Sequence, residues 1–311
     1  MIRCVKYSGK KTSSIDLGKI NLIRDNVWVD VSSPNDKELK QLEKKFKLYS
    51  RDLVDGLDEH EVPRLSNRDG YSFIVFRALI NDYSIPVGIF LSKKFIITVH
   101  SKEIKPLTKF FKIMFAPEGV EFFNHGMDFL FYKIISEMNR NLHKDLDKFD
   151  DKLDKLEDRV LKNKFSDINE IFPLKKHITY YKRAISSNLE IIEKLQNKTS
   201  KFITNKNYIF LNGSHVEISQ AENMIEFQRE KIRGILDIHM SSVSNRLNDI
   251  MRSFTVLASI LLLPMLISGI WGMNFAKIPF FDSDIGFYIP IILMFFSVVL
   301  LFIFFKYKKW V

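Results

Sequence analysis

The chain has 311 residues, room for two domains and a small membrane part, and carries 47 Lys and Arg against 37 Asp and Glu, a formal charge of +10. Its single cysteine, Cys4, excludes an intramolecular disulfide and a cysteine-built metal cluster. The basic excess is spread among acids and forms no stripe interleaved with aromatics, which argues against nucleic acid as a partner. The mean hydropathy of −0.06 averages a polar, charged majority with an apolar tail and describes neither.

Residues 1–125 read as a small α/β domain. Val27-Trp28-Val29-Asp30-Val31 alternates like a strand, and Asp36 to Phe46 has helical spacing behind the turn Ser32-Ser33-Pro34-Asn35. Tyr71 to Leu79, Val87 to Leu91 and Phe95 to Val99 are expected strands, the last two joined by a hairpin at Ser92-Lys93-Lys94. Lys105 to Met114 reads as a helix. No Gly-rich phosphate loop appears, and nothing resembles a nucleotide-hydrolysing site, so an enzyme is not expected.

From about 127 the pattern becomes helical. Phe131, Ile135, Met138 and Leu142, then Leu146, Phe149, Leu153, Leu156 and Val160, give a coiled-coil seam with a stutter at 142–146. The acids and lysines between them read as a solvated face. Leu174, Ile178, Tyr181, Ile185, Leu189 and Ile192 predict a second amphipathic helix, antiparallel to the first, with Pro173 marking its start. Breaks are expected at Asn205-Lys206-Asn207 and Asn212-Gly213-Ser214. Beyond Ser214 nothing stops a helix before Pro264, so one helix of about 50 residues, ~80 Å at ~1.5 Å per residue, should follow. Such a helix is not stable alone, and self-association is the natural inference.

Two uncharged stretches close the chain, Ser253 to Ile270 and Ile285 to Phe305, each long enough to cross most or all of a ~30 Å hydrocarbon layer. Arg246 and Arg252 flank the first, and Lys306-Tyr307-Lys308-Lys309-Trp310 follows the second. The positive-inside bias puts both termini in the cytoplasm and the loop between the spans outside. Met1-Ile2-Arg3-Cys4-Val5-Lys6 has no apolar core behind its charges, so residues 1–245 are expected on the side where they are made. The expected organisation is an α/β cytoplasmic domain (1–125), a helical hairpin and stalk helix (126–250), a first transmembrane helix (251–271), an extracellular loop (272–284), a second transmembrane helix (285–305) and a basic tail (306–311).

Along the first span Asn248, Met251, Thr255, Ala258, Leu262, Met265 and Gly269 recur at spacings of three and four and share one stripe. Ser, Thr and Gly there serve ordinary helix packing equally well. A mostly apolar stripe facing a symmetry axis would instead form a hydrophobic constriction that gates by dewetting.

The triplet Gly272-Met273-Asn274 at the outer end of the first span, followed by Phe275 and Pro279, resembles the loop signature of the CorA family of magnesium channels. Two further stretches are similar to that family: Ser241-Ser242-Val243-Ser244-Asn245 through Asn248, Met251 and Arg252, and Val54-Asp55-Gly56-Leu57-Asp58-Glu59-His60-Glu61-Val62-Pro63-Arg64. The likeness runs from about residue 50 to 311. It implies an α+β cytoplasmic domain with a long helical stalk and two C-terminal transmembrane helices, assembled as a funnel-shaped homopentamer in the plasma membrane. It implies Mg²⁺ uptake down the electrochemical gradient, gated by intracellular Mg²⁺, with passage of Co²⁺ and Ni²⁺ and no organic cofactor. Carried over by resemblance, Asn274 forms the outer ring that receives hydrated Mg²⁺, beside Gly272 and Met273. Met251, Leu262 and Phe254 or Thr255 correspond to the gate, with Asn248 below. Asp237 corresponds to an acidic ring near the cytoplasmic mouth, and Asp55 to a regulatory metal ligand.

Three departures stand out. Trp271 replaces the family's usual Tyr. Ala276 and Phe280 stand where the family's loop carries acids, so cation attraction falls to Asp282 and Asp284 or to Asn274 alone. The second regulatory acid aligns with Gly213, leaving Glu217 or Glu222 as substitutes. Two alternatives remain: a zinc transporter of the same family, which the scattered His residues and lone Cys do not favour, and a membrane-anchored coiled-coil scaffold, which gives no reason for the Asn-bearing loop.

Overall fold

A computed structural model describes the whole chain except residues 81–82, 163–167, 198–199, 274–284, 309 and 311. It divides into two compact units, Met1–Gly234 and Ile235–Val311.

The first unit is built on a seven-stranded sheet in the order β2-β1-β3-β7-β6-β5-β4. The strands are β1 (Ile2–Tyr7), β2 (Thr12–Ser14), β3 (Asn26–Ser32), β4 (Leu65–Asn67), β5 (Ser72–Ile80), β6 (Tyr83–Leu91) and β7 (Phe95–His100). Among these, β3 and β7 pair in parallel, with Val27 opposite Phe95 and Val31 opposite Val99. Both central strands are buried along nearly their whole length, as strands covered on both faces are, and they carry the buried polar residues Asp30, Thr98 and His100 among their apolar ones. The expected strands and the 92–94 hairpin are present. β1, β2 and β4 give too short or too mixed a pattern to be read from sequence.

Helices cover both faces. On one lie α1 (Asp36–Phe46) and α2 (Ser50–Asp55), where Leu42, Phe46 and Leu53 pack against Val27, Val29 and Val31. Asn35 and Glu38 form a reciprocal capping box at the start of α1, which explains its sharp N-terminal boundary. On the other lie α3 (Lys105–Ile113), α4 (Pro117–Asn124) and α5 (Met127–Asn139). There Trp28 packs on Phe110 and Phe111.

Three longer helices follow: α6 (Leu142–Leu161), α7 (Ile171–Gln196) and α8 (Tyr208–Trp271). The seam predicted as one stuttering coil is two helices, because the chain turns at Arg140–Asn141 between α5, which packs on the sheet, and α6. Pro173 lies inside the first turn of α7 and so marks its start. An N–H there has no intrahelical acceptor, so proline costs nothing. The expected break at Asn212-Gly213-Ser214 is absent. Gly213 is exposed while Leu211 and Ser214 are buried, and burial of that face outweighs the ~1 kcal/mol glycine penalty.

Leu211, Ser214, Ile218, Ala221, Ile225, Gln228 and Ile232 form a buried seam on α8 at steps of three and four. Lys182–Glu226, Ser186–Glu222, His215–Glu193 and Gln196–Asn212 ladder α7 to α8 in antiparallel order. The Arg159–Glu170 pair and the Phe149–His177 stack do the same for α6 and α7, as expected. The Asn188 side chain clamps α7 to the sheet by accepting from the Arg77 N–H and donating to the Arg77 carbonyl, each at 2.8 Å.

Asp30 is fully buried beneath α3, accepting from Arg3 and from Thr98 at 2.7 Å and meeting His100 at 3.1 Å. Burial alone would raise its carboxyl, but His100, Thr98 and Arg3 outweigh it and hold the group below the usual carboxylate range. A depressed carboxylate stabilises the fold above its unfolded value of ~4, and that contribution is lost as pH falls through the lower folded value. Asp30→Asn is therefore expected to cost about 3 kcal/mol at pH 7, the scale for removing one partner of a buried pair. Thermal unfolding of wild type and variant from pH 7 to pH 3 tests this. The gap between their midpoints should narrow toward acid, and a pH-independent gap would count against the assignment.

Candidate functional site

In the second unit the predicted ion path stands on one helix. A helix advances ~100° per residue, so steps of three and four residues hold one face. Met251, Thr255, Ala258, Leu262, Met265 and Gly269 all lie on α8 at those steps and all are exposed, with Met251, Leu262 and Met265 at 63%, 62% and 72%. Asn248 precedes them on the same face. Continuing the steps backward gives Ser244, Ser241 and Asp237, also exposed. Both serines belong to the 241–245 stretch quoted for the family resemblance, and the same spacing places them on this face. The face is thus polar from Asp237 to Asn248 and almost wholly apolar from Met251 to Gly269. Phe254, 64% exposed, stands one position off it.

Two hydroxyls of the span, those of Ser253 and Thr255, are occupied by the helix itself. Thr255 Oγ1 donates to the Met251 carbonyl at 2.8 Å, and Ser253 Oγ donates to that of Asp249 at 3.0 Å. A hydroxyl bonded back to its own helix offers little to a passing ion. Pro264 supplies no N–H to the preceding turn, yet α8 continues to Trp271. The last turn is extended by Gly272, whose N–H donates to Ser268 at 2.9 Å, and by Met273, whose N–H donates to Ile270 at 3.3 Å. Both residues are exposed. Asn274 and the rest of the expected loop to 284, with Asp282 and Asp284, lie outside the described residues.

The other apolar helix is α9 (Tyr288–Tyr307), in which Pro290 and Phe305 are the buried residues among those described. Its end is fastened by Trp310, whose N–H donates to the Phe305 carbonyl at 3.0 Å and whose ring stacks on Phe305. Both α8 and α9 carry windows long and apolar enough to cross a membrane, with 6% and 11% of those windows buried. Apolar surface left uncovered on this scale suits hydrocarbon and not water.

In the first unit Asp55 ends α2, which can lie close to β6 because two glycines meet there. A Cβ on Gly88 would stand 2.8 Å from the Gly56 Cα. Asp55 Oδ2 is held by Arg64 and lies 3.8 Å from Arg51 Nε, while Glu61 meets Arg64 at 3.2 Å. Both arginine contacts fall on Oδ2, and among the described residues no ion pair to Oδ1 is present. One turn back, the buried Asp52 takes two bonds from Arg68 and one from the Tyr71 hydroxyl, anchoring α2 to the sheet region. Burial pushes the Tyr71 hydroxyl up, reinforced by Asp52. Glu217 is exposed on α8 and adds to the burial that raises the Tyr132 hydroxyl. Among the described residues no group of three or more His, Cys, Asp and Glu is arranged to hold a metal. Cys4 is buried, its thiol pushed up to about 12 by that burial and by Asp16 and Asp30, so it is not a reactive thiolate.

Comparison with known proteins gives a consistent picture. Residues 24–308 match the family described as CorA-like Mg²⁺ transporter protein. The chain is 28% identical over 289 residues to the cobalt/magnesium transport protein CorA of Methanocaldococcus jannaschii, covering 92% of this chain and 91% of that one. The complete structure of the CorA magnesium transporter from that organism is similar with a TM-score of 0.90 at 26% identity, covering 100% and 99% of the two chains. The ZntB cytoplasmic domain from Vibrio parahaemolyticus shares the fold over 78% of this chain and 98% of that one, with a TM-score of 0.64 at 15% identity.

Proposed function

The chain belongs to the CorA-like Mg²⁺ transporters, a family of divalent-metal transporters, and we propose that it is a channel through which Mg²⁺ enters the cell. The observation that carries the reading is the face of α8 from Asp237 to Gly269, polar at one end and apolar at the other, on a helix that runs unbroken to the Gly272-Met273-Asn274 triplet. In a homopentamer these faces surround a common axis. Asp237 and the Ser241, Ser244 and Asn248 rings then form a hydrated inner mouth. Met251, Leu262 and Met265 form rings that empty of water and close. Both termini lie in the cytoplasm, and the triplet faces outward.

Asn274 suits the ion by its chemistry. Mg²⁺ sheds water reluctantly and keeps octahedral coordination. Five amide oxygens accept hydrogen bonds from its water shell without replacing it, and five carboxylates would hold the ion longer. Co²⁺ and Ni²⁺, hydrated in the same geometry, pass by the same contacts. The membrane potential supplies ~2.3 kcal/mol per charge per 100 mV, roughly 4.6 kcal/mol for a divalent ion, so transport needs no coupled reaction. Internal Mg²⁺ closes the channel by bridging Asp55 through Oδ1 to an acid of the neighbouring subunit, with Glu217 the candidate.

Two measurements test this. Mg²⁺ flux into proteoliposomes is expected from wild type and is expected to fall at least about tenfold in Asn274→Ala, the scale of losing ~1.4 kcal/mol at the entrance. Absent wild-type flux, or undiminished flux in the variant, overturns the channel reading. For regulation, Mg²⁺ should slow proteolysis of the first unit in wild type and protect Asp55→Ala much less. Equal protection removes Asp55 from the control site.

A further inference from the structure

A cavity of about 820 Å³ opens in the first unit between the 59–63 segment, the β5–β6 hairpin and helices α6 and α7. The ion path makes no use of it. Five cationic side chains line it (Arg77, Lys102, Lys152, Lys176 and Arg183) against two carboxylates, Glu59 and Glu61. Both carboxylates are already engaged, Glu59 by Lys102 at 2.8 Å and Glu61 by Arg64 at 3.2 Å. Among the described residues, Lys152, Lys176 and Arg183 make no ion pair.

Arg77 is the most constrained of the five. Its guanidinium donates to Ser84 Oγ at 2.7 Å, to the Glu61 carbonyl at 2.8 Å, and to the carbonyls of Glu59 and Ser84 at 3.0 and 3.2 Å. Every acceptor is neutral, so the bonds fix the group without cancelling its charge. Burial lowers the Arg77 pKa, and the charge of Arg183 lowers it further, with Glu59 offsetting only part. Cations gathered on low-dielectric walls without counter-charge focus a positive potential into the space between them.

An apolar part of the wall is formed by Val62, Pro63, Ile85, Leu174 and the ring of Tyr180, with His60, His177, Ser84 and Ser187 between these and the cations. The volume lies within the ~300–1,000 Å³ common for small-molecule sites. A bare inorganic anion would satisfy the cations and leave both the volume and the apolar wall unused. Arginine and lysine on separate elements suit several phosphate oxygens at once. We propose that this cavity binds a phosphorylated organic anion of about the size of a nucleoside di- or triphosphate, with its phosphates toward Arg183, Lys176 and Lys152 and its organic body against the apolar wall. It joins the β5–β6 hairpin to α6 and α7, next to the segment that carries Glu61 and Arg64, so occupancy bears directly on the partners of Asp55.

The test is isothermal titration of the full-length protein in detergent and Mg²⁺-free buffer, with ATP as probe and inorganic tripolyphosphate in a second arm. Saturable ATP binding is expected, weakened at least about tenfold in Lys176→Glu/Arg183→Glu. Both side chains are exposed, and Lys176→Ala/Arg183→Ala serves if the charge reversal lowers the melting temperature. Tripolyphosphate should bind more weakly than ATP. No saturable ATP binding at millimolar concentration, or equal affinity in the variant, overturns the site. Equal or tighter binding of tripolyphosphate overturns the role of the organic body.

Discussion

Inside hydrocarbon a backbone N–H or C=O has no water to turn to, and each one left unpaired costs several kcal/mol. That constraint governs α8. A helix satisfies every interior peptide group within itself, so it is the form in which one segment can run from protein-covered surroundings to an apolar window. Even Pro264 does not end it. Continuity has a geometric consequence: once the helix is unbroken, the angular position of each side chain is fixed by its number alone. Asp237 and Asn248 are 11 residues apart, which at ~100° per residue returns to within ~20° of the same direction. A polar stretch and an apolar stretch on one face then follow from register.

The first unit solves a different problem, holding long helices against a sheet by specific contacts. The α7–α8 ion pairs are largely exposed, and such pairs contribute little individually. The buried seam from Leu211 to Ile232 stabilises the contact more, and the polar ladder sets the register in which that seam engages. Asn188 acts in the same way toward the sheet. By meeting both the N–H and the carbonyl of Arg77, it fixes α7 at one residue of β5. Asp55 inherits its position from the paired glycines at 56 and 88 and from the anchoring of Asp52.

The two charged regions of this unit stand in opposite states. Asp52, Asp55 and Glu61 each meet an arginine, while the neighbouring cleft holds an excess of cations over acids. A protein gains nothing in stability from gathering like charges. The cleft is best understood through what it would hold.

Much of this protein was legible in its sequence. The two apolar spans, the triplet at the end of the first, the stripe on α8, the central strands and α1 depend on local periodicity and capping, which residues carry with them wherever they are placed. Where sequence reasoning failed, packing had overruled a local preference. Gly213 sits inside α8 because its neighbours Leu211 and Ser214 are buried, and the seam is interrupted at Arg140–Asn141 because α5 belongs to the sheet and α6 to the helices beyond it. The arginines on Asp55 and the cation-lined cleft were invisible, since their members come from elements far apart in the chain. Periodicity fixes what a residue's face will be, and only the tertiary structure decides which charges share a space, because electrostatic energy depends on distance through space and not along the chain.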